Sequence, residues 1–130
     1  MTNAIRVLLV DDESEFVETL AERLEIRGFE PAVALNGTAA LERLDEIRPQ
    51  VMVLDLKMPG MSGLEVLRET LRKMPELPVI MLTGHGSEQE RDEALASGAA
   101  TYLQKPIDIE TLSKLLTETA SAGAVPGEEA

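Results

Sequence analysis

A chain of 130 residues that is 44% hydrophobic and 28% charged predicts one folded domain. Its core is expected to be aliphatic, because the sequence contains only three aromatic residues, two Phe and one Tyr. The 24 acidic against 12 basic residues give a net charge of −12, which disfavours direct binding to nucleic acid or to a membrane surface. The absence of cysteine excludes disulfides, and no apolar run is long enough for a signal peptide or membrane span, so we expect a soluble cytoplasmic protein.

Five apolar runs of strand length alternate with five amphipathic segments along the chain. The runs are Ile5–Val10, Pro31–Leu35, Val51–Leu54, Pro78–Leu82 and Ala100–Leu103. This alternation is typical of a parallel sheet that is covered by helices on both faces. The second run begins with a proline, which lacks a donor for the strand ladder and therefore favours a strand at the sheet edge. We predict an α/β domain of the (βα)5 type with the second strand outermost.

Local signals indicate where the predicted helices begin and end. Two serine–glutamate pairs with the spacing of a capping box predict the starts of helices three and four: Ser62 with Glu65, and Ser87 with Glu90. Asp12 or Glu13 is a candidate side-chain cap for the first helix, and Asp108 for the fifth. Gly28 and Gly98 follow helices one and four, where a left-handed residue is expected.

Polar residues follow four of the five predicted strands. Asp11 and Asp12 follow the first strand, Asp55 follows the third, Thr83 ends the fourth and Lys105 follows the fifth. Because the carboxyl ends of parallel strands lie along one edge, these side chains are expected to converge. Each aspartate alone would be interpreted as a cap or turn residue, but three together repel one another unless a cation neutralises them. Oxygen ligands of this kind suit Mg²⁺, so the sequence predicts a divalent metal site.

The same set of charges would also accept a phosphoryl group. Mg²⁺ and Lys105 balance the three carboxylates, and the Thr83 hydroxyl is able to donate a hydrogen bond to a phosphoryl oxygen. Gly84 leaves room beside the threonine. A carboxylate can act as the nucleophile and form an acyl phosphate, and Asp55 is the candidate because its strand is expected to be central.

Around these residues the chain resembles the receiver domain of bacterial two-component response regulators, in a form similar to the single-domain chemotaxis regulators. The resemblance covers about Ile5 to Ala120 and rests on the motifs V-D-D-E, V-L-D-L-K-M-P-G-M-S-G, M-L-T-G and Y-L-Q-K-P. It implies a flavodoxin-like, doubly wound five-stranded sheet of order 2-1-3-4-5. It also implies a receiver domain over residues 1–120, with residues 121–130 as a flexible tail or truncated linker.

The resemblance further implies a phosphorelay function. Asp55 would accept a phosphoryl group from a sensor histidine kinase or a histidine phosphotransfer protein, after which a conformational change alters partner binding. Mg²⁺, for which Mn²⁺ could substitute, would be held by Asp12, Asp55 and the backbone carbonyl of Lys57, with Asp11 assisting through water. Lys105 would bind the phosphoryl group.

Further roles follow from the same resemblance. Thr83 and Tyr102 would move together as the switch, and the Lys105–Pro106 bond would be cis. Lys57 and His85 would tune self-dephosphorylation, although an exposed loop histidine without a task is the simpler interpretation of His85. Ordinary strand packing is likewise the simpler interpretation of Tyr102, against which we favour the switch.

Three other functions agree less well with the residues. A Mg²⁺-dependent phosphohydrolase would have D-x-D at the nucleophile, whereas Asp55 is followed by Leu56 and Lys57, so the general acid is missing. We therefore expect a phosphoacceptor with self-phosphorylation and self-dephosphorylation chemistry, not an enzyme. A flavin carrier would need a Ser/Thr-rich phosphate loop where this chain is acidic, and a degenerate receiver would have lost a site residue. A downstream protein effector and a fused output domain both stay open, as do a monomer and a weak phosphorylation-dependent dimer.

Overall fold

The computed structural model describes residues 4–122 and shows five strands alternating with five helices. The elements are β1 (Arg6–Val10), α1 (Ser14–Ile26), β2 (Glu30–Ala34), α2 (Gly37–Ile47), β3 (Val51–Leu54), α3 (Gly63–Lys73), β4 (Val79–Thr83), α4 (Glu88–Ala96), β5 (Thr101–Gln104) and α5 (Ile109–Ala122). α5 continues two residues into the segment expected to be a tail, and the rest of that segment lies outside the described residues. None of the helices within residues 4–122 has the length and apolarity needed to cross a membrane.

The five strands form one parallel sheet in the order β2-β1-β3-β4-β5. The predicted flavodoxin-like fold is therefore confirmed, and each predicted run overlaps its strand with bounds that differ by about one residue. Pro31 lies in the edge strand β2, opposite Val7 of β1, as its missing donor required. β3 lies between β1 and β4, so the residue that follows it reaches the middle of the carboxyl edge.

Two aliphatic clusters cover the two faces of the sheet. One contains Leu8, Met52 and Met81 with residues of α2, α3 and α4, and the other contains alternate strand residues with α1 and α5. β1, β3 and β4 are buried along nearly their whole length because helices cover both faces. Burial of one Leu or Val side chain contributes roughly 1.5–3 kcal/mol, so these strands form a rigid frame for the loops at their ends.

Most of the predicted helix boundaries are confirmed. Both serine–glutamate pairs form complete capping boxes, at the first turns of α3 and α4. Asp108 Oδ2 accepts a hydrogen bond from the Thr111 N–H at 3.0 Å and so caps α5. Gly28 and Gly98 follow α1 and α4 with φ of 92° and 113°, in the left-handed region that glycine adopts without strain. Asn36 caps α2 through the Ala39 N–H, a cap that the sequence analysis missed.

The predicted side-chain cap of α1 is wrong. Glu13 occupies the cap position, but no side chain makes a cap hydrogen bond there. The Glu13 carboxylate instead accepts a hydrogen bond from the Lys105 ammonium, a cation that the last strand brings close. The Glu13 N–H donates to Asp11 Oδ1 at 2.9 Å, so the residue before the helix is held by its neighbour. A tertiary ion pair thus replaces the local cap that the acidic run suggested.

Candidate functional site

The predicted site residues converge at the carboxyl edge of the sheet, above β1, β3, β4 and β5. They surround a cavity of about 270 Å³ whose lining residues are Asp12, Glu13, Asp55, Lys57, Thr83, Gly84, His85 and Lys105. The Lys105–Pro106 peptide bond at its rim is cis, as the resemblance implied. Of the predicted site residues, Asp11 and Tyr102 are not among those that line this cavity. Each of the lining residues ends or follows a strand, and parallel strands end at the same edge of the sheet. The sequence alone was therefore sufficient to predict that these residues lie together.

Asp11, Asp12 and Asp55 form an acidic cluster. One carboxylate oxygen from each lies within 4.8 Å of the other two. Asp11 and Asp55 are 4% and 6% exposed, whereas Asp12 faces solvent. The backbone is fixed by the sheet, since the Asp55 N–H donates to the Val10 carbonyl at 2.9 Å. An oxygen-only set with one open side could hold a divalent metal ion.

Lys105 provides the less exposed of the two positive charges that line the cavity. Its Nζ lies 2.8 Å from Asp11 Oδ2 and 2.5 Å from Glu13 Oε1, and 4.3 Å from the centroid of the Phe16 ring. Burial lowers the pKa of Lys105, but the hydrogen bonds to Asp11 and Glu13 outweigh it, so the pKa lies above its ordinary value. The hydrogen bond from Lys105 also lowers the pKa of Glu13. Both groups therefore stay charged and hold each other in place.

The surroundings of Asp55 disfavour its charged, deprotonated form. Burial raises the pKa of Asp55 above its ordinary 3.8, and the charge of Asp11 raises it further, while Lys105 and the Thr83 hydroxyl act in the opposite direction. The net raised pKa means that the folded protein destabilises the charged carboxylate. A bound cation, or a covalent bond to one carboxylate oxygen, would relieve part of that cost.

The backbone that carries Asp55 packs closely against the start of α3. A Cβ on Gly63 would lie 2.3 Å from the Asp55 carbonyl oxygen and 2.6 Å from the Leu56 Cα. The Gly63 N–H donates to the Leu56 carbonyl at 2.8 Å, and Ser62 begins the capping box one residue earlier. Glycine is needed here because two backbone segments meet, a requirement that its place in the motif around Asp55 did not predict.

Three other predicted residues surround the opening of the cavity. Thr83 is 1% exposed, and its Oγ1 accepts a hydrogen bond from the His85 N–H at 3.4 Å. The His85 side chain is exposed. The Lys57 Nζ lies 3.7 Å from Glu90 Oε1 at the first turn of α4, so its charge is paired with that helix.

Glu13 and Phe16 were missed as parts of this site. Both contact the Lys105 ammonium, which lies 92 residues beyond Glu13 in the chain. The only sequence signal is that Glu13 extends the acidic pair after β1, a pattern that also predicts a helix cap. No local pattern relates Phe16 to a lysine after the last strand, because the contact arises only when α1 packs beside the end of β5.

Comparisons with known proteins agree with the fold and with the arrangement of the edge. The sequence matches the family model described as "Response regulator receiver domain" over residues 7–117. It is 38% identical to the response regulator MprA of Mycobacterium ulcerans over 109 residues, 84% of this chain and 47% of that protein. It is 35% identical to the regulatory protein AtoC of Escherichia coli over 116 residues, 89% of this chain and 25% of that protein. The chain thus spans between a quarter and a half of these relatives.

Solved structures show the same likeness. The chemotaxis protein CheY4 of Vibrio cholerae superposes with a TM-score of 0.84 at 31% identity, over 89% of this chain and 98% of that one. A CheY-like receiver domain protein of Methanospirillum hungatei gives a TM-score of 0.89 at 26% identity, over 93% and 97%. Receiver domains of response regulators act with histidine kinases and output domains. This chain belongs to the response regulator receiver domain family, and it is a phosphorelay signalling domain, not a classical enzyme.

Proposed function

We propose that Asp55 is the phosphoacceptor and that it receives its phosphoryl group from a phosphohistidine of a sensor histidine kinase or a histidine phosphotransfer protein. The observation that carries the proposal is the shared cavity: Asp55, at the end of the central strand, has two carboxylates and the Lys105 ammonium around it. A carboxylate with a raised pKa is a better nucleophile than an ordinary one, provided that it is deprotonated at the working pH.

The transfer is a substitution at phosphorus. An Asp55 carboxylate oxygen forms a bond to phosphorus while the phosphorus–nitrogen bond of the donor breaks, and the electron pair stays on the imidazole, which takes up a proton. Lys105 lies at the cavity wall with its ammonium fixed by Asp11 and Glu13, where it would pair with a phosphoryl oxygen. The Thr83 hydroxyl lines the same cavity and would donate a hydrogen bond to a second oxygen. The product is an acyl phosphate on Asp55.

We propose Mg²⁺, or Mn²⁺ in its place, as the metal of the acidic cluster. The direct ligands would be Asp12, Asp55 and the backbone carbonyl of Lys57, an oxygen-only set that suits both Mg²⁺ and Mn²⁺. When bound, the metal supplies positive charge that offsets the repulsion between these carboxylates and the phosphoryl oxygens. One Asp11 oxygen already accepts a hydrogen bond from the Lys105 ammonium, so Asp11 would assist the metal through water.

The remaining roles concern what happens after transfer. Thr83 and Tyr102 would form the switch, and Lys57 and His85 would tune the rate at which the acyl phosphate hydrolyses. The chain would also react with small phosphodonors and dephosphorylate itself. We propose that residues 1–120 act as the receiver unit in the cytoplasm. The output would be a downstream protein effector or a fused output domain, with the receiver as a monomer or a weak phosphorylation-dependent dimer.

The experiment that tests the phosphoacceptor is intact mass spectrometry after incubation with acetyl phosphate or with a phosphorylated histidine donor, in Mg²⁺ and in EDTA. The wild type is expected to gain one phosphoryl group only in Mg²⁺, and Asp55→Asn is expected to gain none. Asp45→Asn, an exposed aspartate on α2, is the matched control and should behave as the wild type. Equal phosphorylation of Asp55→Asn, or no gain by the wild type from either donor, would refute the assignment and leave a binding module without phosphorylation.

A further inference from the structure

Gly86, in the loop between β4 and α4, has no space for a side chain. A Cβ at this position would lie 1.4 Å from the Tyr102 hydroxyl oxygen, 2.8 Å from Tyr102 Cζ and 3.0 Å from Thr83 Cγ2. The backbone itself does not require glycine, because Gly86 is outside the left-handed region that Gly28 and Gly98 occupy. Glycine is present here because the tip of the tyrosine ring fills the place where a methyl group would be.

The Tyr102 ring is held in that place by packing and not by a hydrogen bond. Its hydroxyl oxygen is buried and has no hydrogen-bond partner among residues 4–122. The ring packs against the aliphatic cluster on the α2, α3 and α4 face of the sheet. Burial raises the pKa of the Tyr102 phenol, the charges of Glu90 and Asp55 add to this, and Arg91 opposes it. Burying a hydroxyl group without a hydrogen-bond partner costs free energy, so this ring position is only weakly favoured. A small reduction of the available space is therefore enough to displace the ring.

The displaced ring would have room to move. A cavity of about 480 Å³ lies beside it between α4 and β5, lined by Ser87, Glu88, Arg91, Tyr102 and Gln104. α4 buries little apolar surface, since Ala94 is the buried residue among Glu88–Ala96. The nearest obstacle that a Cβ would meet is thus the far end of the Tyr102 side chain, which can rotate into open space without moving a strand.

We propose that Gly86 is a positioning residue for Tyr102: the missing side chain admits the ring to the interior, and the ring position in turn sets the shape of the α4–β5 cavity. Any side chain at position 86 forces the ring outward, into that cavity. The inference rests on the contacts of Gly86 and Tyr102, and it is independent of which residue accepts a phosphoryl group.

The test uses Tyr102 as its own reporter, because the chain has one tyrosine and no tryptophan. Acrylamide quenching of tyrosine fluorescence and alkaline absorbance titration are measured for the wild type, Gly86→Ala and Gly84→Ala. Gly84 is the matched control two residues away, where a Cβ would meet nothing closer than Lys105 Cδ at 3.8 Å. In Gly86→Ala, quenching should rise toward the value of the unfolded chain, and the titration midpoint should fall toward the ordinary 10.0. Gly84→Ala should match the wild type.

The proposal is overturned if Gly86→Ala keeps the quenching and the titration midpoint of the wild type, or if the wild-type ring is already as accessible as in the unfolded chain. A second measurement covers the case in which Gly86→Ala folds poorly. The urea midpoint is determined for Gly86→Ala with Tyr102 present and in a Tyr102→Leu background. We expect a fall in the first case and none in the second, and an equal fall in both would overturn the proposal.

Discussion

Two lysines border the same cavity, yet they are held in different ways. The Lys105 side chain is 13% exposed, and its ammonium contacts Asp11 and Glu13 above the Phe16 ring. The Lys57 side chain is 54% exposed, and its ammonium lies 3.7 Å from one carboxylate, that of Glu90 on α4. Lys105 therefore neutralises the buried carboxylate of Asp11, whereas Lys57 adds a solvent-screened charge at the rim.

The difference indicates which charge the fold depends on. Removal of a buried cation leaves Asp11 and Asp55 buried with reduced compensation, and this is costly because water does not replace the lost partner. Removal of an exposed cation costs little, because water solvates the remaining carboxylate. The same sheet edge thus contains one lysine on which stability depends and one whose removal should cost little stability.

The largest expected effect comes from Lys105→Met. The free energy of unfolding in EDTA should fall by about 3 kcal/mol, because the substitution removes one partner of a buried ion pair. Urea denaturation of this variant beside Lys57→Met, the matched control, measures the difference. Mg²⁺ should still bind Lys105→Met and restore part of its stability, since the carboxylates remain. Equal losses in the two variants, or the loss of Mg²⁺ binding in Lys105→Met, would contradict the comparison.

A smaller effect of opposite sign is expected for Asp55→Asn. Because the folded pKa of Asp55 lies above the ordinary 3.8, the unfolded chain loses this proton first as pH rises. Ionisation of Asp55 therefore lowers the free energy of unfolding as the pH rises from about 3.8, the ordinary pKa, to the raised pKa of the folded protein. Above that raised pKa the free energy of unfolding falls no further from this cause. Asparagine removes that charge, so at pH 7 we expect a gain on the order of 1 kcal/mol in metal-free buffer.

The pH dependence of that gain provides the check. Urea denaturation of Asp55→Asn and of the wild type should give a difference that disappears well below pH 3.8, where the aspartate is protonated in both the folded and the unfolded chain. Asp45→Asn, on exposed surface, should show no comparable gain. A loss of stability in Asp55→Asn at pH 7 would show that the carboxylate is stabilised by Lys105 more than it is destabilised by burial and Asp11.

The smallest effect is expected for Lys57→Ala. Its free energy of unfolding should change by less than about 0.5 kcal/mol, because the contact with Glu90 is long and exposed. Glu90 also accepts a hydrogen bond from the Ser87 N–H, so α4 keeps its capping box without the lysine. A double-mutant cycle with Glu90→Gln measures the pair. A coupling energy above about 1 kcal/mol would place Lys57 among the structural charges with Lys105.

Short-range sequence patterns predicted most of the fold and the grouping of the site residues. Strand and helix periods, two capping boxes and the proline of β2 were sufficient for the sheet and its edge strand. The acidic and polar residues could be grouped because each directly follows a strand, and parallel strands end at the same edge. The left-handed Arg48 after α2 had no such signal, since residues other than glycine adopt that region only when their surroundings impose it.

The sequence by itself therefore determined the order of the elements, the edge at which the charged side chains gather and the family to which the chain belongs. The tertiary structure alone decided how those side chains are paired. Glu13 binds Lys105 instead of capping α1, Gly63 lets two backbone segments touch, and Gly86 leaves space for Tyr102. Each of these contacts joins residues that no local period relates, so it appears only after the helices pack on the sheet.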